Sequence, residues 1–139
     1  MTFLRNAEMN DREFWMSLDI HITDESFIRM VQMKQGYLIY DGERPVGILY
    51  GSLFWDRIPF LNLLCIRAAD RGKGYGRAAM NLWEEEMRQK KFLMTLISTQ
   101  VDETAQHFYR KLGYTDCGCL ILENTPICQP MEMFMYKRL

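Results

Sequence analysis

FLNLLCIRAADRGKGYGRAAMNLWEEEMR, running from Phe60 to Arg88, changes its hydrophobic period part-way along. Phe60 to Ile66 is apolar everywhere except Asn62 and has strand length, the pattern of a strand covered on both faces. From Tyr75 the spacing becomes helical: Tyr75, Ala78, Ala79, Leu82, Trp83 and Met87 recur on one side, with Arg77, Glu84, Glu85 and Arg88 on the other. Between them, Arg71-Gly72-Lys73-Gly74-Tyr75-Gly76-Arg77 carries glycine at alternate positions, so backbone N–H groups can approach a ligand with no Cβ in the way. A helix N-terminus bears about half a positive charge and has amides without intrahelical partners. The junction therefore predicts an anion site, most simply for phosphate, with Arg71, Lys73 and Arg77 adding positive charge around it.

Spacing excludes two common nucleotide loops. A dinucleotide fingerprint opening at Gly72 needs glycine at position 77, which is arginine, and a Walker-type loop needs Gly-Lys where Arg77 and Ala78 stand. What the residues satisfy is Arg-x-x-Gly-x-Gly, at Arg71, Gly74 and Gly76. Further on, Ala105-Gln106-His107-Phe108-Tyr109-Arg110-Lys111-Leu112-Gly113-Tyr114 fits A-x-x-F-Y-x-x-x-G-[FY]. On these two motifs, in this order and separated by a predicted strand, nearly the whole chain resembles the GNAT superfamily of acetyl-CoA-dependent N-acetyltransferases.

The resemblance implies an α/β (α+β) fold with a mixed, mostly antiparallel central sheet of about six to seven strands. Helices would cover both faces, with a V-shaped splay between the two central parallel strands. Acetyl-CoA, the implied co-substrate, would lie in that splay. Its pantetheine arm would pair with backbone near Cys65, Ile66 and Arg67. Its diphosphate would rest on Arg71, Gly72, Lys73, Gly74, Tyr75, Gly76 and Arg77, and Phe108 and Tyr109 would also border the cofactor. The implied catalytic groups are the backbone N–H of Ile66, stabilising the oxyanion, and Tyr109, giving a proton to the CoA thiolate. A phenol with an ordinary pKa near 10 has that proton at neutral pH. Tyr109 also lies on an apolar stripe, where packing alone would account for it.

Other segments read as follows. Thr2 to Arg5 predicts a short strand and Asp11 to Leu18 a short helix. A second helix is capped by Asp24 or Ser26, has Phe27, Met30, Val31 and Lys34 along one face, and has Gly36 just past its end. Phe14, Trp15, Met16, Met30 and Met33 belong either to the core or to an acceptor pocket, core being the usual place for such residues. Gly36–Tyr40 and Val46–Trp55 form a hairpin, and Asp56-Arg57-Ile58-Pro59 turns the chain into the Phe60 strand. Phe92 to Ile97 is a strand parallel to that one if the intervening helix is a right-handed crossover, with Ser98, Thr99 and Gln100 running out toward the substrate. Asp102 caps a helix buried through Ala105, Phe108, Tyr109 and Leu112 and ended by Gly113. Tyr114–Leu122 and Met131–Tyr136 close as a hairpin.

At 139 residues the chain predicts one domain, residues 1–139. A net charge of −1 and no basic stripe argue against nucleic acid, and no apolar run approaches the roughly 20 residues of a membrane span. With no secretory signal, a cytoplasmic protein is expected, as a monomer or homodimer. Cys65, Cys117, Cys119 and Cys128 read as free thiols; Cys117-Gly118-Cys119 lacks zinc-ligand spacing, so no metal is expected.

Acetyl transfer to an amine requires the amine to be neutral. Asn62 stands where many members of the family carry a glutamate base, and an amide does not take up the proton. Asp56, Glu123, Glu132 or His107 acting through water, or an amine that enters neutral, are the alternatives. Asp102 replaces a residue that is often asparagine, placing a negative charge near the cofactor. The leading expectation is an N-acetyltransferase for a primary amine of a small molecule, peptide or protein, working by direct attack in a ternary complex; the other is a non-catalytic acyl-CoA sensor.

Overall fold

The computed structural model describes residues 1–139. In chain order its elements are β1 (Thr2–Asn6), α1 (Arg12–Leu18), α2 (Asp24–Gln32), β2 (Gly36–Asp41), β3 (Arg44–Phe54), β4 (Ile58–Ile66), α3 (Tyr75–Gln89), β5 (Met94–Gln100), α4 (Ala105–Lys111), β6 (Thr115–Leu120) and β7 (Glu132–Arg138). One 3-10 turn, Met9–Asp11, precedes α1, and another, Ala68–Asp70, follows β4. The strands form a seven-stranded mixed sheet in the order β1-β2-β3-β4-β5-β7-β6. It is mostly antiparallel, while β4 and β5 run parallel with Phe60 opposite Leu96 and Leu61 opposite Ile97. The chain clusters into two compact units, Met1–Ser52 with Asn62–Glu86, and Leu53–Leu61 with Met87–Leu139.

In the first unit the core gathers Ala7, Trp15, Phe27, Met30, Leu38 and Ile48, with Phe14, Met16, Val31 and Cys65 packed against it. Trp15 and Met30 are therefore core residues, whereas Met33 is exposed. The cap of α2 differs from expectation. Thr23, rather than Asp24 or Ser26, is the N-cap: its Oγ1 accepts the Ser26 N–H at 3.2 Å, leaving Asp24 in the first turn. The other end is set by Lys34, not Gly36. Lys34 takes φ 54, and the N–H groups of Lys34 and Gln35 bond the carbonyls of Val31 and Met30 at 3.1 Å each, a Schellman closure. Gly36 instead starts β2, where a Cβ would meet the Met30 sulfur at 2.6 Å.

The buried stripe of α3 is also rotated from the predicted one. Ala79, Met80, Trp83, Glu84 and Met87 are buried, and Leu82 is exposed. Met80, Trp83 and Met87 form one i, i+3, i+7 line, and Leu82 falls beside it. Trp83 approaches β3 so closely that a Cβ on Gly51 would lie 2.8 Å from its ring.

In the second unit β5 pairs with β7 from Met94 opposite Arg138 to Gln100 opposite Glu132. That ladder starts the strand later than Phe92 and takes Ser98, Thr99 and Gln100 into it. Asp102 does not cap α4. It lies in a turn closed by the Glu103 N–H on the Gln100 carbonyl at 3.1 Å, and the helix starts with the His107 N–H on Thr104 at 3.0 Å. Gly113, at φ 97, closes α4: the N–H groups of Gly113 and Tyr114 bond the carbonyls of Arg110 and Tyr109 at 3.0 and 3.1 Å. Buried Tyr114 then shares a hydrogen bond of 2.8 Å with Thr95.

Candidate active site

The loop between β4 and α3 has the geometry that its glycines predict. Gly72 and Gly74 take φ +75 and +88, and a Cβ built on either meets nothing within 4 Å. Their role is thus backbone conformation and open space. The first bond of α3 runs from the Ala78 N–H to the Gly74 carbonyl at 3.0 Å. Hence the amides of Tyr75, Gly76 and Arg77 have no partner within the helix and lie at its positive end.

Beneath this loop lies a carboxylate that the sequence analysis did not single out. Asp70 is 2 % exposed and takes three cations: Arg44 Nη1 at 2.9 and 3.0 Å, Arg67 Nε at 3.1 Å and Lys73 Nζ at 3.4 Å. Its carboxyl is held below the usual range, first by the Arg44 hydrogen bond and against the effect of burial. Three cations on one carboxylate leave the cluster positive. The available signal was that Asp70 is the one acid in the run carrying Arg67, Arg71, Lys73 and Arg77.

The other loop residues are placed as follows. Arg71 Nε donates to the Ile66 carbonyl at 3.1 Å, folding its side chain back over the end of the strand. The Tyr75 hydroxyl donates to Asp41 on β2 at 2.6 Å, which lowers the carboxyl pKa and raises that of the phenol. Tyr75 therefore offers the loop its amide alone. Arg77 is exposed.

At the end of β4, the Arg67 N–H bonds the Val46 carbonyl at 2.9 Å. The Cys65 carbonyl faces the same way, 2.6 Å from where a Cβ of Gly47 would stand. Peptide groups alternate along a strand, so the N–H of Ile66 points away from β3. Of Cys65, Ile66 and Arg67, it is Ile66 that presents an amide on the free side. Asn62 accepts a hydrogen bond from Ser52 Oγ at 2.5 Å and is exposed.

In the second unit, Tyr109 is buried on α4, edge-on to Phe108 at 5.1 Å and to Tyr114 at 5.9 Å. Burial first, then the charge of Glu103, pushes its phenol up to about 12, and no hydrogen bond contributes. Phe108 is half-buried; His107, Asp102, Asp56 and Glu123 are exposed. Glu132 is half-buried and accepts from Gln129 Nε2 at 3.0 Å. A cavity of about 420 Å³ is lined by Leu93, Met94, Cys117, Tyr136 and Arg138, none of them a predicted site residue. Cysteine, histidine and carboxylate side chains form no group of metal-ligand size, the four cysteines are free, and no helix is long and apolar enough to cross a membrane.

The model of the acetyltransferase (GNAT) family matches residues 3–114. No curated protein matches the sequence. Among solved structures, Ard1 from Thermoplasma volcanium superposes with a TM-score of 0.85 at 16% identity, over 99% of this chain and 97% of that one. The ribosomal-protein-S18-alanine N-acetyltransferase of Escherichia coli gives 0.81 at 13% identity, over 99% and 94%. Naa50 of Arabidopsis thaliana, in complex with the bisubstrate analogue CoA-Ac-MVNAL, gives 0.80 at 14% identity, over 99% of each chain. At these identities the likeness is one of fold.

Proposed function

The chain belongs to the acetyltransferase (GNAT) family, and from that premise we propose that it is an N-acetyltransferase moving the acetyl group of acetyl-CoA to a primary amine. The acceptor is a small molecule, peptide or protein amine that attacks directly in a ternary complex, and residues 1–139 act as one catalytic domain. A CoA-containing ligand in Naa50, a structure of the same fold, supports the choice of donor. A cytoplasmic location is favoured by four cysteines that remain free.

The observation that carries the reading is the set of unpartnered amides at Tyr75, Gly76 and Arg77, opening onto the space that Gly72 and Gly74 leave clear. A diphosphate suits it: helix N-terminus, amide donors and nearby guanidinium are an anion's ordinary partners. Arg77 and Arg71 flank that anion, and Lys73, braced on Asp70, adds charge from below. The Ile66 N–H is the donor for a pantetheine amide or, at the reacting carbonyl, for the oxyanion. Its carbonyl is shared with Arg71. Cys65 and Arg67, whose peptide groups face β3, border the arm through their side chains.

Acetyl-CoA supplies an acyl group activated as a thioester. Tyr109 holds the proton that the departing thiolate needs, and its raised pKa keeps that proton in place across the physiological range. Phe108 packs beside it. Asn62, bonded to Ser52, does not serve as base, so the amine reaches the site neutral or loses its proton through water. That asparagine is also the observation favouring the second reading, an acyl-CoA sensor without turnover; release of CoA with any member of an amine panel decides against it.

The test of the site is Gly74→Val. A β-branched residue at φ +88 is strained, and its side chain fills the space above the amides. Acetyl-CoA affinity measured by calorimetry is expected to fall about 100-fold or more, the scale of losing several charge-assisted hydrogen bonds. Unchanged affinity in a folded variant refutes the loop assignment.

A further inference from the structure

Along β7, Met133 and Met135 are buried, while Glu132, Phe134 and Tyr136 alternate onto the opposite face. Register places Ser98 beside Phe134 and Gln100 beside Glu132 on that face. Three half-buried rings meet there: Phe60 and Phe134 at 6.1 Å, Phe54 and Phe60 at 6.1 Å, and Phe54 and Phe134 at 6.4 Å. A fourth ring, Trp55, lies 4.7 Å from Phe54 and is 75 % exposed.

Trp55 is held in place by its turn. The Arg57 N–H bonds the Phe54 carbonyl at 3.0 Å, and the two residues between, Trp55 and Asp56, take φ 54 and 55. Two residues at positive φ make a type I′ hairpin turn, for which Asn-Gly is the favoured pair. A bulky residue in this conformation, with its indole left in water, is a local departure of the kind that marks a binding surface. Chemistry at the other edge supplies the polarity. Glu132, two residues along from Phe134, receives one hydrogen bond from Gln129 and pairs with no cation.

We propose that this face binds the acceptor, and that the acceptor is an organic ammonium carried on a flat apolar body, the arylalkylamine class. Phe54, Phe60, Phe134 and Trp55 take the body and the face of the cation, and Glu132 takes the charge. One proton leaves the ammonium for solvent before the amine attacks. The assignment rests on the acetyltransferase reading for its use, while the binding itself is testable without turnover.

The probe is 2-phenylethylammonium, titrated calorimetrically against the wild-type chain, with neutral 2-phenylethanol and ethylammonium as references. The aromatic cation is expected to bind about tenfold tighter than either, since each reference lacks one of the two recognised features. Glu132→Gln, a conservative change at a half-buried position, is expected to remove the advantage over the alcohol and leave the alcohol's own affinity unchanged. Phe134→Leu keeps apolar volume and lowers affinity for the aromatic cation about fivefold through loss of the π face. Equal binding of the three probes overturns the proposal, as does a Glu132→Gln variant that keeps full selectivity. So does a dimer that Trp55→Asp dissolves with no change in amine affinity, since the face is then covered by a second copy. Acetyl-CoA affinity measured on the same protein keeps the outcomes apart: its retention without amine selectivity defeats this inference alone, and its absence defeats the acetyltransferase reading.

Discussion

Tyr109 combines tight packing with a phenol that keeps its proton. Its ring is wedged edge-on between Phe108 and Tyr114, and the same burial raises the phenol to about 12. A raised pKa means the neutral, proton-bearing form persists as pH climbs through 10, where a free tyrosine would ionise. If Tyr109 is the acid for the thiolate, Tyr109→Phe is expected to lower kcat by about 100-fold, the lower end of general acid contributions, with acetyl-CoA affinity little changed. The wild-type kcat should show no alkaline decline near pH 10 from this group, its decline waiting until about 12. Full activity in the phenylalanine variant, measured as CoA release, removes Tyr109 from the chemistry and leaves it a packing residue.

At the level of elements, β3 and α3 fit closely. A methyl group on Gly51 would stand 2.8 Å from the Trp83 ring, which is itself 1 % exposed and has little room to retreat. Gly51→Ala is therefore expected to destabilise the fold by about 1–3 kcal/mol, the usual range for overpacking. A lower urea midpoint with unchanged slope is the sign to look for; an unchanged midpoint means Trp83 yields freely. The same pair shows where sequence reading stops. Strand and helix were legible in Phe60–Ile66 and Tyr75–Arg88 because each keeps its own hydrophobic period. The exact buried stripe was not, since Leu82 and Met80 are equally apolar and packing against β3 chooses between them. Caps failed for a related reason. Thr23, Asp24 and Ser26 are all competent N-caps, and the hydroxyl that reaches the Ser26 amide is settled by where the chain turns. Lys34 at positive φ leaves no signal at all in a lysine. Gly72 and Gly74 of the loop, by contrast, were readable because φ values of +75 and +88 exclude most alternatives.

For the molecule as a whole, what the motif did not reveal is the charge balance under it. Asp70 answers Arg44 in β3 and Arg67 and Lys73 around the loop, so a loop rich in cations is tied to the sheet by one buried carboxylate. Because the Asp70 pKa is lowered in the folded state, its contribution to stability is present above the ordinary value of 3.8 and is lost as pH falls through the lower, folded value. Asp41, lowered chiefly by the Tyr75 hydroxyl, acts in the same direction. Tyr37, raised by burial and then by its 2.7 Å hydrogen bond to Glu86, acts at the other end: its contribution is present below 10.0 and declines as pH rises through the folded value. From these groups the Tm is expected to fall as the solution is acidified below 3.8 and as it is made alkaline above 10.0. Asp70→Asn isolates the acid limb. The variant is expected to melt several degrees below wild type at neutral pH, because three cations lose their shared partner. The gap should close as the solution is acidified below 3.8, where the wild-type carboxyl takes up its own proton. A gap that stays constant down to strong acid would show that Asp70 holds the loop by shape and hydrogen bonding, with its charge contributing nothing.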